Sequence, residues 1–85
     1  MLFHATVHIM PRDEILDPQG KATELGLKNL DLSNIDQVRI GRRIELSIDA
    51  ADKSAAEKQV HEACNKLLAN PIIEKFHFEL ADSPN

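Results

Sequence analysis

The spacing of apolar residues changes along this chain from two to about 3.6 and back, which restricts it to folds that mix strands with helices. Between Leu2 and Met10 apolar and polar residues alternate, as in a strand buried on one face. Apolar residues recur at helical spacing at positions 56, 60, 63, 64, 67 and 68. Alternation then returns at Phe76, Phe78 and Leu80. The chain is therefore predicted to contain both α and β elements.

Two aspartates mark the predicted helix starts. Asp17 stands directly before Pro18, an arrangement typical of an N-cap followed by proline at the first helical position. Asp52 is the expected N-cap of the second helix, with Ser54 and Glu57 as a competing capping box. Asn70 is predicted to end that helix in the left-handed conformation. The first helix, weakened by Gly26, is expected to bury a stripe formed by Ala22, Thr23, Leu27 and Leu30.

A hairpin is predicted in the middle of the chain. Residues 35–40 and 44–48 both alternate, and a loop over 41–43 places apolar residues opposite each other. The same register pairs Arg39 with Glu45 on the outer face. This hairpin would supply two of the four strands.

The whole pattern predicts the order β-α-β-β-α-β, with the last strand over residues 72–80 and a frayed tail over 81–85. No linker or repeat interrupts it, so residues 1–85 are expected to form one domain. The predicted fold class is α+β, a two-layer ferredoxin-like sandwich with an antiparallel sheet and both helices on one face.

Size and charge narrow the possible partners. A chain of 85 residues with 42% hydrophobic content has a small core, so a homodimer or tetramer is expected, with Met10, Ile73 and His77 on its contact face. The net charge of −4 argues against nucleic acid. The sequence shows neither a leader pattern nor an apolar run long enough for a membrane span, so no membrane association is expected. The single Cys64 fits a cytoplasmic protein without disulfides.

The titratable residues do not form a recognisable reaction centre. His4 and His8 share a strand face but lie about 13 Å apart, too far for one metal ion, and no carboxylate is fixed near His77 by sequence. Cys64 falls in the apolar helical stripe and is expected in the core. No phosphate-binding loop or nucleophile motif is present, so no catalytic, cofactor-binding or metal-binding residue is predicted. An RNA-recognition domain shares the element order but requires exposed aromatic residues on its central strands. The corresponding positions here are His4, Thr6, His8, Arg43, Glu45 and Ser47, which argues against that class.

Three stretches at the junctions of the predicted elements carry a family resemblance. They are Asp17-Pro18-Gln19-Gly20, Val38-Arg39-Ile40-Gly41-Arg42, and Leu67-Leu68-Ala69-Asn70-Pro71-Ile72-Ile73-Glu74. At the end of the second helix the matching residues run from Cys64 to Pro71. In this order and spacing the chain resembles the PurS family, the small subunits of phosphoribosylformylglycinamidine (FGAM) synthase. Arg42 departs from the lysine that is common after the glycine, and Asp31 from a common helix-ending glycine.

The resemblance implies a non-catalytic adaptor in de novo purine biosynthesis. Such a subunit would join a glutaminase (PurQ-type) to a synthetase (PurL-type) and help ammonia to reach formylglycinamide ribonucleotide. ATP and Mg would be used by the synthetase and no cofactor by this chain. The residues implied in partner binding are Asp17, Gln19, Gly20, Arg39, Gly41 and Arg42. The alternative is an ACT-like regulatory module, which has the same element order and often binds an amino acid at the first strand-to-helix loop.

Overall fold

A computed structural model describes residues 1–83. Within them the chain forms β1 (Leu2–Pro11), α1 (Pro18–Asn29), β2 (Arg42–Asp49), α2 (Lys53–Ala63) and β3 (Glu74–Asp82). The strands make one antiparallel sheet in the order β2-β1-β3, so β1 is central and pairs on both sides. The predicted α+β class and antiparallel sheet are confirmed.

The core lies between the central strand and α2. Four alternate residues of β1 are at most 1% exposed: Phe3, Ala5, Val7 and Ile9. Across from β1, α2 and its continuation supply Ala56, Val60 and Cys64, all buried. The inward residues of β2 and β3 are only half-buried. One helix thus covers the middle of the sheet and leaves its flanks partly open.

The first helix differs from its expected place. It begins after Asp17 with proline at its start, as predicted, but Gly20 is its only buried residue. Leu27 is half-buried, and the rest of the expected stripe, Ala22, Thr23 and Leu30, is exposed. Within residues 1–83 the buried core comes from the sheet, α2 and its continuation, whereas the weak apolar stripe of α1 stays largely exposed.

The strand predicted over residues 35–40 is wrong. Two amides of this segment donate to α1 carboxylates: Val38 to Glu24 Oε1 at 2.8 Å and Ile40 to Asp17 Oδ2 at 2.8 Å. These N–H groups therefore cannot join a β ladder. The predicted hairpin and its Arg39–Glu45 pair do not form.

The second helix also ends differently from its prediction. It continues as a π-helical turn over Cys64–Leu68, and Ala69 then adopts extended backbone. Asn70 is not left-handed, since the non-glycine residues with positive φ in residues 1–83 are Asp31 and Gln37. The Asn70 side chain instead accepts from the Ile72 amide at 3.2 Å. This local turn delays the last strand, which begins at residue 74 rather than 72.

The end of the chain is more ordered than predicted. Residues 81 and 82 belong to β3, and the Ser83 amide donates to the Leu2 carbonyl at 3.0 Å. The frayed tail is therefore wrong for residues 81–83, while its last two residues, 84 and 85, lie outside the described part of the chain. Neither described helix has the length and apolar content that a transmembrane span requires.

Candidate partner-binding cleft

The three junction stretches meet around one cleft of about 300 Å³. It lies between the start of α1, the segment leading into β2 and the turn before β3. Its walls are formed mainly by Leu16, Asp17, Pro18, Gln19, Ile40, Gly41, Arg42, Ile73 and Glu74. Segments that are far apart in the sequence thus share a single surface.

Asp17 holds two of these segments together. Its Oδ1 accepts from the Gly20 amide at 2.9 Å, which caps α1, and its Oδ2 accepts from the Ile40 amide at 2.8 Å. The residue is only 8% exposed. These hydrogen bonds, first that of Gly20 and then that of Ile40, with a smaller effect of the Arg39 charge, lower the pKa of the Asp17 carboxyl. The cap is therefore also a link across the cleft.

Both motif glycines are required for close backbone approach. A Cβ on Gly20 would collide with the Val38 carbonyl oxygen and the Asp17 carboxylate. A Cβ on Gly41 would collide with the Ile9 carbonyl oxygen and the Met10 sulfur. Neither glycine has positive φ, so the reason for each is space.

The two motif arginines point to different structures. Arg39 Nη2 donates to the Arg12 carbonyl at 2.8 Å and to the Ile15 carbonyl at 3.1 Å, which ties down the loop after β1. Arg42 Nη2 lies 3.0 and 3.1 Å from the two carboxylate oxygens of Glu74 and donates to the Leu68 carbonyl at 3.0 Å. Arg42 thereby joins the start of β2 to the end of the second helix and to β3.

The six residues implied in partner binding therefore fall into two groups. Asp17, Gly20, Arg39 and Gly41 make internal contacts that shape the cleft. Gln19 is exposed, and the Arg42 side chain is 52% exposed although it is paired. A partner would meet mainly the amide of Gln19 and the guanidinium of Arg42, together with apolar surface from Leu16 and Ile73. Partner binding by these residues remains a prediction.

Sequence reasoning missed two carboxylates that organise the site. Glu24 accepts the Val38 amide, and Glu74 Oε1 accepts the Asn70 amide at 2.7 Å in addition to pairing with Arg42. Glu74 closes the third junction stretch, so the sequence could have pointed to it. Its pairing with Arg42 could not be predicted, because the two residues are 32 positions apart and meet only through the sheet.

Comparisons with known proteins find relatives over most of the chain. The family model described as PurS, phosphoribosylformylglycinamidine (FGAM) synthase, matches residues 4–82. The chain is 40% identical over 78 residues to the phosphoribosylformylglycinamidine synthase subunit PurS of Synechocystis sp., covering 92% of this chain and 78% of that protein. It is 33% identical to the Bacillus subtilis subunit PurS, covering 95% of each.

Solved structures of PurS proteins also resemble this chain. The B. subtilis PurS structure superposes with a TM-score of 0.85 at 34% identity, covering 94% of this chain and 99% of that one. A chain in the structure of PurLQS from Thermotoga maritima gives a TM-score of 0.87 at 28% identity, covering 95% and 99%. With the family match spanning the sheet, both helices and all three junction stretches, this chain belongs to the PurS family.

Proposed function

We propose that this chain is the small, non-catalytic subunit of phosphoribosylformylglycinamidine synthase, acting in de novo purine biosynthesis. The observation that carries the proposal is the family match over residues 4–82. It is supported by the close superposition on a chain of the Thermotoga maritima PurLQS structure. In this role the chain bridges a glutaminase and an ATP-dependent synthetase and assists transfer of ammonia to formylglycinamide ribonucleotide.

The division of labour follows from the chemistry available in the chain. Glutamine hydrolysis needs an activated nucleophile and ATP use needs a phosphate cradle, and the sequence contains neither motif. ATP and Mg are therefore assigned to the synthetase subunit. As an accessory subunit, the chain contributes to a glutamine-dependent carbon–nitrogen ligase. We propose that this complex is cytoplasmic and that residues 1–85 of the chain form one domain.

The cleft is proposed as a contact surface for one of these larger subunits. Asp17, Gly20, Arg39 and Gly41 fix its shape through the backbone, so it would change little on binding. Preorganised surfaces lose less conformational entropy on association. Gln19 and Arg42 on its walls supply the exposed polar contacts, and arginine is a frequent anchor residue at protein interfaces.

A second copy of the chain is the other proposed partner. In α1 Leu25 is 62% exposed, its C-cap residue Leu30 is 69% exposed, and the following loop exposes Leu32 and Ile35. The inward-facing residues of β2 and β3 are also only half-buried. Small domains commonly complete such cores by association, which supports the expected homodimer or tetramer. Of the residues expected at the contact face, Ile73 lies in the turn before β3 rather than on the sheet.

Reconstitution tests the adaptor function. The chain alone is expected to hydrolyse neither glutamine nor ATP. Added to the purified synthetase and glutaminase, it is expected to restore glutamine-dependent amidine formation, whereas a high ammonia concentration bypasses it in part. Full glutamine-dependent activity without the chain would reject the adaptor role.

Two variants test the cleft independently of the adaptor function. Arg42→Ala, combined with Gln19→Ala, is expected to weaken binding to the larger subunits at least about tenfold. Arg43→Ala is the matched control, since Arg43 is the next residue, is 63% exposed in its side chain and lies on the opposite face of β2. Equal binding by both variants would reject the cleft while leaving the adaptor role intact. Stabilisation of the isolated chain by a free amino acid would instead favour the ACT-like alternative.

A further inference from the structure

We propose that His8, His77 and Glu79 form a binding site for one divalent transition-metal ion of the Zn²⁺ class. The three side chains lie on the outer face of the sheet, opposite to α2, and none of them lines the cleft. The proposal concerns this chain's own surface and does not depend on its role in a complex.

The sheet register brings the three residues together. His8 on β1 is directly opposite His77 on the antiparallel β3, and Glu79 lies two residues further along β3 on the same face. The imidazole rings of His8 and His77 stack with centroids 4.7 Å apart. His8 Nε2 is 3.1 Å from Glu79 Oε1. One ligand atom from each residue lies within 4.8 Å of the other two.

These separations are close to those of a bound zinc ion. Zn²⁺ binds histidine nitrogen and carboxylate oxygen at about 2.0–2.2 Å, which places tetrahedral ligand atoms about 3.4 Å apart. The His8–Glu79 pair is already near that distance, and the remaining atoms must approach by about 1.5 Å at most. His77 and Glu79 are exposed, so rotation about their side-chain bonds would supply this approach, whereas the backbone beneath them is held by the strand pairing.

The chemistry of the donors points to the same class of metal. Two imidazoles with one carboxylate suit Zn²⁺ and its neighbours rather than Mg²⁺ or Ca²⁺, which prefer oxygen ligands alone. Three protein ligands leave a fourth position for water or another donor. Two cations share this face and each is paired with a carboxylate: Arg43, opposite His8, with Glu45, and Lys75, two residues before His77, with Asp13.

A neighbouring pair on the same face lacks this capacity and supplies a control. His4 Nε2 lies 3.3 Å from Glu45 Oε1, but among residues 1–83 no third ligand-bearing side chain completes a metal site there. Arg43 Nη2 also lies 3.6 Å from the same Glu45 oxygen, where its charge opposes a metal ion. His4 and His8 have similar side-chain exposure, 40% and 32%, so their removal is comparable.

Calorimetric titration of the untagged full chain with Zn²⁺ at about pH 7.5, where unperturbed imidazole is mostly neutral, tests the site. We expect one zinc per chain. His8→Ala, His77→Ala and Glu79→Gln are expected to weaken zinc binding at least about tenfold, and His4→Ala, the matched control for His8→Ala, to leave it unchanged. Circular dichroism checks that each variant is folded, and Co²⁺ absorption gives an independent signature of tetrahedral binding.

Three results would overturn the proposal. The first is the absence of saturable zinc binding by the wild-type chain, and the second is a folded His77→Ala variant that binds zinc as tightly as wild type. The second result would mean that His8 and Glu79 form only a hydrogen bond and that the histidine rings stack without a metal. One zinc per two chains would likewise contradict a site contained in a single chain.

Discussion

At the scale of single residues, Asp17 is the side chain on which most of the cleft depends. Its two oxygens accept amides from α1 and from the segment before β2. Asp17→Ala removes both acceptors and is expected to lower the melting temperature by about 4 °C or more. Asp17→Asn keeps one acceptor, so its melting temperature is expected to lie between those of wild type and Asp17→Ala. Thermal unfolding measures this effect, and an alanine variant that melts like wild type but fails to assemble would show that Asp17 is a contact residue instead.

The lowered pKa of Asp17 predicts a pH dependence with a defined sign. A carboxyl whose pKa is lower in the folded state contributes stability above its unfolded pKa, and loses it as the pH falls through the folded value. The difference in melting temperature between wild type and Asp17→Asn is therefore expected to shrink as the pH falls from about 6 to below about 4. Unfolding curves at the two pH values check this. A constant difference would show that ionisation of Asp17 contributes nothing.

Two glycines of α1 provide a second residue-scale prediction because their surroundings differ. A Cβ at Gly20 meets backbone and carboxylate atoms, whereas nothing lies within 4 Å of a Cβ at Gly26. Gly26→Ala is expected to stabilise the chain by about 1 kcal/mol, since alanine is the better helix former. Gly20→Ala is expected to destabilise it. Urea unfolding of both variants measures the free energies, and changes of the same sign would contradict the close-contact interpretation.

At the scale of elements, α1 ends in a regular left-handed cap. The Asp31 amide donates to the Lys28 carbonyl and the Leu32 amide to the Leu27 carbonyl, which is a Schellman motif with Asp31 at φ 63°. Left-handed backbone is less costly for glycine, although glycine also loses more entropy on folding. Asp31→Gly is expected to stabilise the chain by about 0.5 kcal/mol, measured by urea unfolding. A destabilised variant would mean that the Asp31 side chain makes a contribution the cap geometry does not explain.

At the scale of the whole molecule, the uncovered α1 predicts association of two or more copies. Light scattering of the wild-type chain at tens of micromolar is expected to give at least a dimer mass. Leu25→Gln on α1 is expected to shift it towards monomer because it removes exposed apolar area from the proposed contact. Leu67→Gln is the control, since Leu67 is 82% exposed at the end of the second helix. A wild-type monomer, or equal loss of mass with both variants, would contradict an interface on α1.

Local sequence patterns determined the elements whose causes are local. The alternation over residues 2–10 produced β1, and Asp17 and Asp52 cap the two helices where they were expected to, because an N-cap needs only an oxygen next to nearby amides. The apolar stripe of α2 placed Val60 and Cys64 in the core. The family was also recognisable, since its three junction stretches are contiguous in sequence.

Tertiary structure decided whatever depends on competition for backbone amides and on register. Residues 35–40 alternate like a strand, but two of their N–H groups donate to Asp17 and Glu24 and so cannot join a ladder. Arg42 meets Glu74, and His8 meets His77, because β2 and β3 both pair with β1. No spacing along the chain specifies the register of these pairings. Sequence alone therefore determined where helices begin and which faces are apolar, whereas the three-dimensional arrangement decided which polar groups satisfy one another.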